Sequence, residues 1–242
     1  MSQFVRNPLI LALDVDSKDE VAKILKEVGD LVGAIKLGPR LIYQYGSSFV
    51  NECSKIAPVF VDNKYFDIPS TMVAAVKTSF SAGATLATVH ALSGKEALTQ
   101  LAELEKELNK TRPFKILAVT ILTSWDQNSM PESLQSWPVD KHVAQLADLV
   151  RDSGLTGLVS SAHELELLRN HSLFKVTPGI RLETKLETKT DDDQKRVMNP
   201  QQAIKAGASA LVIGRPILQA TNPRKTVLEI LESCKGYEKN FV

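Results

Sequence analysis

Asp62, Lys64 and Asp67 stand within six residues of one another in "VFVDNKYFDIPST", residues 59–71. Two carboxylates around one ammonium can do chemistry when they are held away from bulk water. The fixed ammonium is then a point of positive charge and a proton source for an anion formed beside it. Left in water, the same three residues are a solvated charge run. Asp62 and Lys64 are two residues apart after an apolar approach, so on a strand they share one face, and Asp67 falls just past the strand end. Lys36 in "AIKLG" and Asp14 in "LALDV" place further charge on two earlier apolar runs. Inward charge that recurs strand after strand is costly unless it is paired or functional. A structural ion-pair network plugging the mouth of the fold is the alternative to a catalytic one.

A second group of residues suits phosphate. "TPGIR" (177–181) and "VIGRPI" (212–217) each join a glycine to an arginine, Arg181 and Arg215. Glycine lets backbone approach an anion closely, and the guanidinium fork binds phosphate oxygens in pairs. A surface salt bridge is the alternative for either arginine alone.

These residues need elements to hold them. Eight short β-rich runs can be read: 9–15, 34–38, 59–65, 86–91, 115–122, 157–161, 174–179 and 210–215. Segments with helical spacing lie between them, among them 17–32, 70–83, 94–110, 139–154 and 222–234, several opening on Ser, Asp or Asn. Gly83, Gly154 and Gly207 stand where a left-handed residue closes a helix. Strand then helix, repeated eight times in a chain near the ~250 residues typical of such folds, predicts a closed parallel (β/α)8 TIM barrel. No linker-like segment divides residues 1–242, which are read as one catalytic domain. Two longer connections, 123–138 and 181–200, are expected at the C-terminal face, where barrel enzymes build their sites. Phosphate is expected at the loops after strands seven and eight, where Arg181 and Arg215 fall.

Bulk composition excludes other classes. The chain has 29 basic and 28 acidic residues, a net charge of +1, and no basic block suited to nucleic acid or an anionic membrane. Cys53 and Cys234 stand apart, without disulfide-framework or zinc spacing, which fits a reducing compartment. The first apolar run is too short to span a membrane and lacks a signal-peptide cleavage pattern, so a cytoplasmic protein is expected.

"DNKYFDIPST" resembles the D-x-K-x-x-D-I-x-x-T signature of the orotidine 5′-phosphate decarboxylases, bacterial type. "LALDV", "IKLG", "TVHA", "LTS", "VTPGIR", "DDQKRV" and "VIGRPI" follow in that family's order through nearly the whole chain. The resemblance implies conversion of orotidine 5′-monophosphate to uridine 5′-monophosphate and CO2 in pyrimidine biosynthesis, with no metal or organic cofactor. It implies Lys36, Asp62, Lys64 and Asp67 as the catalytic charge network, with Asp67 and Thr71 reaching across a homodimer. Asp14 and Lys36 would hold ribose hydroxyls, and Thr123 and Ser124 the amide edge of the pyrimidine. Gln194, Arg181 and Arg215, with Gly214 beside the last, would bind phosphate.

The chain also departs from the pattern. Asn63 and Phe66 replace residues more common in bacterial members, and the tandem "LETKLETK" shifts the approach to Gln194. Asn63 is expected to face the helical layer and to need a partner there. His90 in "TVHA" is read as a hydrogen-bonded structural residue. Two other functions fit parts of the sequence: a magnesium-dependent sugar-phosphate decarboxylase or aldolase on the same barrel, and a non-catalytic nucleotide-phosphate binder.

Overall fold

In the computed structural model, which describes residues 4–182 and 198–235, eight short strands pair in parallel and in chain order, and the last pairs with the first to close a barrel. The elements run β1 (Leu9–Ala12), α1 (Lys18–Val28), β2 (Ala34–Leu37), α2 (Pro39–Ser54), β3 (Val59–Tyr65), α3 (Pro69–Ser81), β4 (Ala84–His90) and α4 (Gly94–Leu108). There follow β5 (Lys115–Val119), α5 (Val139–Ser153), β6 (Gly157–Val159), β7 (Phe174–Thr177), α6 (Pro200–Ala206), β8 (Ala210–Ile213), α7 (Arg215–Leu218) and α8 (Pro223–Ser233).

Both faces of the strands are largely apolar because both are covered. Leu9 and Leu11 of β1 join the outer layer under the helices, whereas Ile10 and Ala12 join an inner cluster with Ala34, Phe60, Leu86, Leu117, Val176 and Val212. The register carries this alternation around the barrel. Ala12 pairs with Lys36, and Lys36 with Phe60, so the Lys36 side chain lies on the inward row. One step further along these rows come Asp14 and Asp62.

The helices form for local reasons that the sequence states openly. In α1, Val21, Ile24, Leu25 and Val28 make one buried stripe, and Ser17 and Glu20 cap the first turn reciprocally. Proline opens α2, α3, α6 and α8, where its missing N–H costs no hydrogen bond. Gly83, Gly154 and Gly207 all have positive φ, as their places after helices predict. Arg224 of α8 forks onto Asp30, just after α1, at 2.9 Å for each of two bonds, and ties the last helix to the first.

The helical return expected after β2 is α2, which Gly46 at φ +72 kinks in the middle. After β6, by contrast, the chain makes only a 3-10 turn at Ala162–Glu164 and further turns before β7. The regular count of eight helical returns therefore fails there. No helix among the described residues is long and apolar enough to cross a membrane.

Candidate active site

The inward row ends in charge at the C-terminal mouth. Lys36 Nζ lies 3.2 Å from Asp14 Oδ1 and 3.5 Å from Asp62 Oδ2, and Lys64 Nζ lies 2.9 Å from Asp62 Oδ1. The result is an alternating chain, Asp14–Lys36–Asp62–Lys64, over three adjacent strands. Its middle is the drier part: the side chains of Lys36 and Asp62 are 11% and 13% exposed, against 39% for Lys64. Lys64 thus faces the open space, and the buried pair stands behind it.

Asp62 and Lys64 do not come together by plain strand alternation, as their spacing suggests. Between the pairs Val61–Ala87 and Tyr65–Val89, β3 carries Asp62, Asn63 and Lys64 where β4 carries Thr88 alone. This bulge re-aims the side chains, as bulges beside active sites do. Lys64 sits in it at φ +48, the single non-glycine residue with positive φ among those described. Such a conformation costs on the order of 1–3 kcal/mol and persists only where the surroundings impose it. Thr88 supplies part of that constraint: its Oγ1 accepts from Lys64 N at 2.9 Å and donates to Asp62 Oδ1 at 3.0 Å.

Electrostatics follow from this packing. Burial alone would raise the Asp62 carboxyl, but the charges of Lys36 and Lys64 and the hydrogen bonds from Lys64 and Thr88 outweigh it and hold the pKa below the ordinary carboxylate value. His90 moves down, first through burial and then through the nearby Lys64 charge. A neutral imidazole fits its contact, because Nδ1 accepts from Leu92 N at 3.3 Å. His90 also packs on the Phe66 ring, with centroids 5.6 Å apart, which agrees with a structural role. Asn63 points toward the helical layer as expected: Nδ2 donates to Tyr65 OH at 3.0 Å, and that hydroxyl meets Ser79 of α3 at 2.9 Å.

Asp14, Lys36, Asp62, Lys64, Thr123, Ser124, Arg181, Gly214 and Arg215 line one cavity of about 300 Å³. That volume is at the small end of the ~300–1,000 Å³ of ligand pockets. Apolar Phe60, Val119, Leu122, Val159 and Val176 line the same space, so a flat ring can be held against hydrocarbon with its polar edges met at the rim. Position 214 is tight: a Cβ there would stand 3.2 Å from the Ala12 Cβ and 3.3 Å from the Ala12 carbonyl oxygen. Two predicted residues lie outside the cavity. Asp67 is exposed between β3 and α3, with its Oδ1 accepting from Ile68 N at 2.6 Å, and Thr71 is exposed in the first turn of α3. Among the described residues no hydrogen bond or ion pair joins Asp67 to Lys64. Gln194, and all of the tandem "LETK" before it but its first residue, Leu182, lie outside the described residues.

A charged inner network, two Gly-Arg loops and a small half-apolar cavity at one mouth of a closed barrel can be set against known proteins. The family model for "Orotidine 5′-phosphate decarboxylase / HUMPS family" matches residues 7–230. The chain belongs to this family. A Legionella pneumophila (strain Paris) protein named orotidine 5′-phosphate decarboxylase is 39% identical over 92% of this chain and 97% of its own length. A Trichlorobacter lovleyi protein of the same name is 38% identical over 90% of this chain and 91% of its own. The crystal structure of orotidine 5′-phosphate decarboxylase from Lactobacillus acidophilus superposes with a TM-score of 0.80 at 30% identity, covering 95% of this chain and all of that one. By membership in the orotidine 5′-phosphate decarboxylase family the chain is an enzyme, a carboxy-lyase. Thr88 is the residue at this site that sequence reasoning does not reach. It lies in "TVHA", but nothing in that motif marks the threonine as standing opposite a bulge.

Proposed function

We propose that this chain converts orotidine 5′-phosphate to uridine 5′-phosphate and CO2, with Lys64 stabilising and then protonating the carbanion at C6. The observation that carries the reading is the Asp14–Lys36–Asp62–Lys64 chain opening into the cavity that Arg181 and Arg215 also line. When the C6 carboxylate leaves as CO2, the electron pair stays in an orbital in the ring plane, where the π system cannot accept it. Stabilisation must act through space. The more exposed Lys64 ammonium, held by Asp62 from behind, supplies a fixed positive charge and the proton that ends the step.

The other roles divide by position. Asp14 and Lys36 hold the ribose hydroxyls, Thr123 and Ser124 the amide edge of the ring, and Arg181, Gln194, Arg215 and the Gly214 backbone the phosphate. Phosphate binding far from C6 contributes energy that organises the site before chemistry. No metal or organic cofactor takes part, and the catalytic barrel comprises residues 1–242.

Asp67 completes the network from a second copy of the chain. Two observations support this: Asp67 and Thr71 sit together on the rim outside their own cavity, and the flanking Phe66 and Ile68 are 62% and 64% exposed, a surface suited to burial against a partner. The protein is placed in the cytosol, a reducing compartment that suits Cys53 and Cys234, both buried and unpaired.

Incubation with orotidine 5′-phosphate in EDTA, following the loss of orotate absorbance, tests the proposal. Loss of absorbance unaffected by the chelator supports it. Turnover of a sugar phosphate dependent on added magnesium would replace it with the aldolase-type reading.

A further inference from the structure

We propose that Thr88 is a positioning residue for this site: its one hydroxyl orients the Asp62 carboxylate and pins the left-handed backbone of Lys64, and so aims the ammonium into the cavity. This rests on the decarboxylase reading of the cavity. Thr88 lies on the inward row of β4, two residues beyond Leu86 of the inner cluster, and is fully buried. It does not line the cavity, so it acts through its neighbours.

Hydrogen-bond chemistry leaves the hydroxyl no freedom. Lys64 N can only donate, so Oγ1 must accept from it, and the sole hydroxyl proton is left for Asp62 Oδ1. A single group thus reads both ends of the bulge at once, and it is the residue of β4 that stands opposite the three bulged residues. Removing the hydroxyl leaves a buried N–H without a partner and the carboxylate with one donor fewer, although Lys36 and Lys64 still face it. The bulge then loses the part of the constraint on Lys64 that this bond supplies.

Thr88→Val keeps the shape and deletes the hydroxyl, whereas Thr88→Ser keeps the hydroxyl and deletes the methyl. With orotidine 5′-phosphate, Thr88→Val is expected to lower kcat about 10- to 100-fold, the span expected when a buried polar group loses its partner, with KM changed less than about threefold. Thr88→Ser is expected to stay within about fivefold of the parent in kcat. An independent readout is the carboxyl titration of Asp62 by carbon-13 NMR, read against its charged neighbours Lys36 on β2, Lys64 on β3, Asp14 beyond β1 and His90 on β4. In Thr88→Val it should move upward from the parent value, and in Thr88→Ser it should not. If Thr88→Val does not fold, Thr88→Ala against Thr88→Ser makes the same comparison. Parent-like kcat and Asp62 titration in Thr88→Val overturn the proposal, as does an equal loss in Thr88→Ser, which would mean that packing is what matters. A parent protein inert toward orotidine 5′-phosphate contradicts the decarboxylase reading alone, because the Asp62 titration still decides whether Thr88 orients that carboxylate.

Discussion

Lys64 Nζ lies 2.9 Å from Asp62 Oδ1, although the backbone between the two leaves the regular strand. The pair is made by a bulge that holds Lys64 at positive φ, and the buried Lys36 grips the other oxygen of the same carboxylate at 3.5 Å. Asp62 is therefore the hinge of the network. It is committed to one lysine on each side, and of the two lysines that line the cavity the more exposed, Lys64, is the one with freedom to act.

Removing that ammonium should separate chemistry from binding. Lys64→Ala is expected to lower kcat roughly 10⁴-fold or more, the combined scale of a lost charge stabiliser and a lost proton donor. Binding of uridine 5′-phosphate, measured by calorimetry, should change little, because Arg181 and Arg215 remain. Comparable losses in both would assign Lys64 to binding.

Stability should depend on pH through Asp62. Its folded pKa is depressed despite burial, so its contribution is present above the unfolded carboxylate value and is lost as pH falls through the lower folded value. Asp62→Asn is expected to cost roughly 1–3 kcal/mol at neutral pH, less than breaking a fully buried pair because Lys64 is partly solvated. Chemical denaturation of both proteins from neutral to strongly acid pH checks this. The two stability curves should converge at the acid end; a constant gap would mean that the substitution acts through packing.

Much of this arrangement is legible in the amino-acid sequence, and the rest is hidden for identifiable reasons. The strands can be found because each is a short apolar run, and the charged residues stand out because Asp14, Lys36 and Asp62 interrupt or end those runs. The helix at Pro39–Ser54 follows the repeat despite its kink at Gly46, whereas the missing helix after β6 cannot be foreseen from a repeat seen everywhere else. The bulge at Asp62–Lys64 is invisible as well. Strand alternation predicts the same facing for residues two apart, so it reaches the correct pairing of Asp62 with Lys64 through the wrong backbone geometry. Thr88 is unreadable because its role depends on the register of β3 against β4.

Phosphate recognition can be tested by truncating either side. Arg215→Ala is expected to lower kcat/KM for the nucleotide by about 2–3 kcal/mol, the scale of a charge-assisted hydrogen-bonded contact. Turnover of a nucleoside substrate that lacks the phosphate should hardly change. Equal losses on both substrates would show that Arg215 supports the fold.

A site shared between two copies makes a sharper demand. In a heterodimer of one Lys64→Ala subunit and one Asp67→Ala subunit, one site collects both defects and the other none, so about half of the parent activity should return while each mutant homodimer stays nearly inactive. A purified, folded heterodimer as inactive as its parents would place Asp67 at work within its own chain.

The central claim is decarboxylation driven by the Lys64 ammonium, and the most direct measurement is release of carbon-14 dioxide from carboxyl-labelled orotidine 5′-phosphate by the parent protein and by Lys64→Ala, each in EDTA. The account predicts stoichiometric CO2 and uridine 5′-phosphate from the parent and almost none from the variant, which should still bind uridine 5′-phosphate. No CO2 from the folded parent, or equal release from the variant, would contradict it.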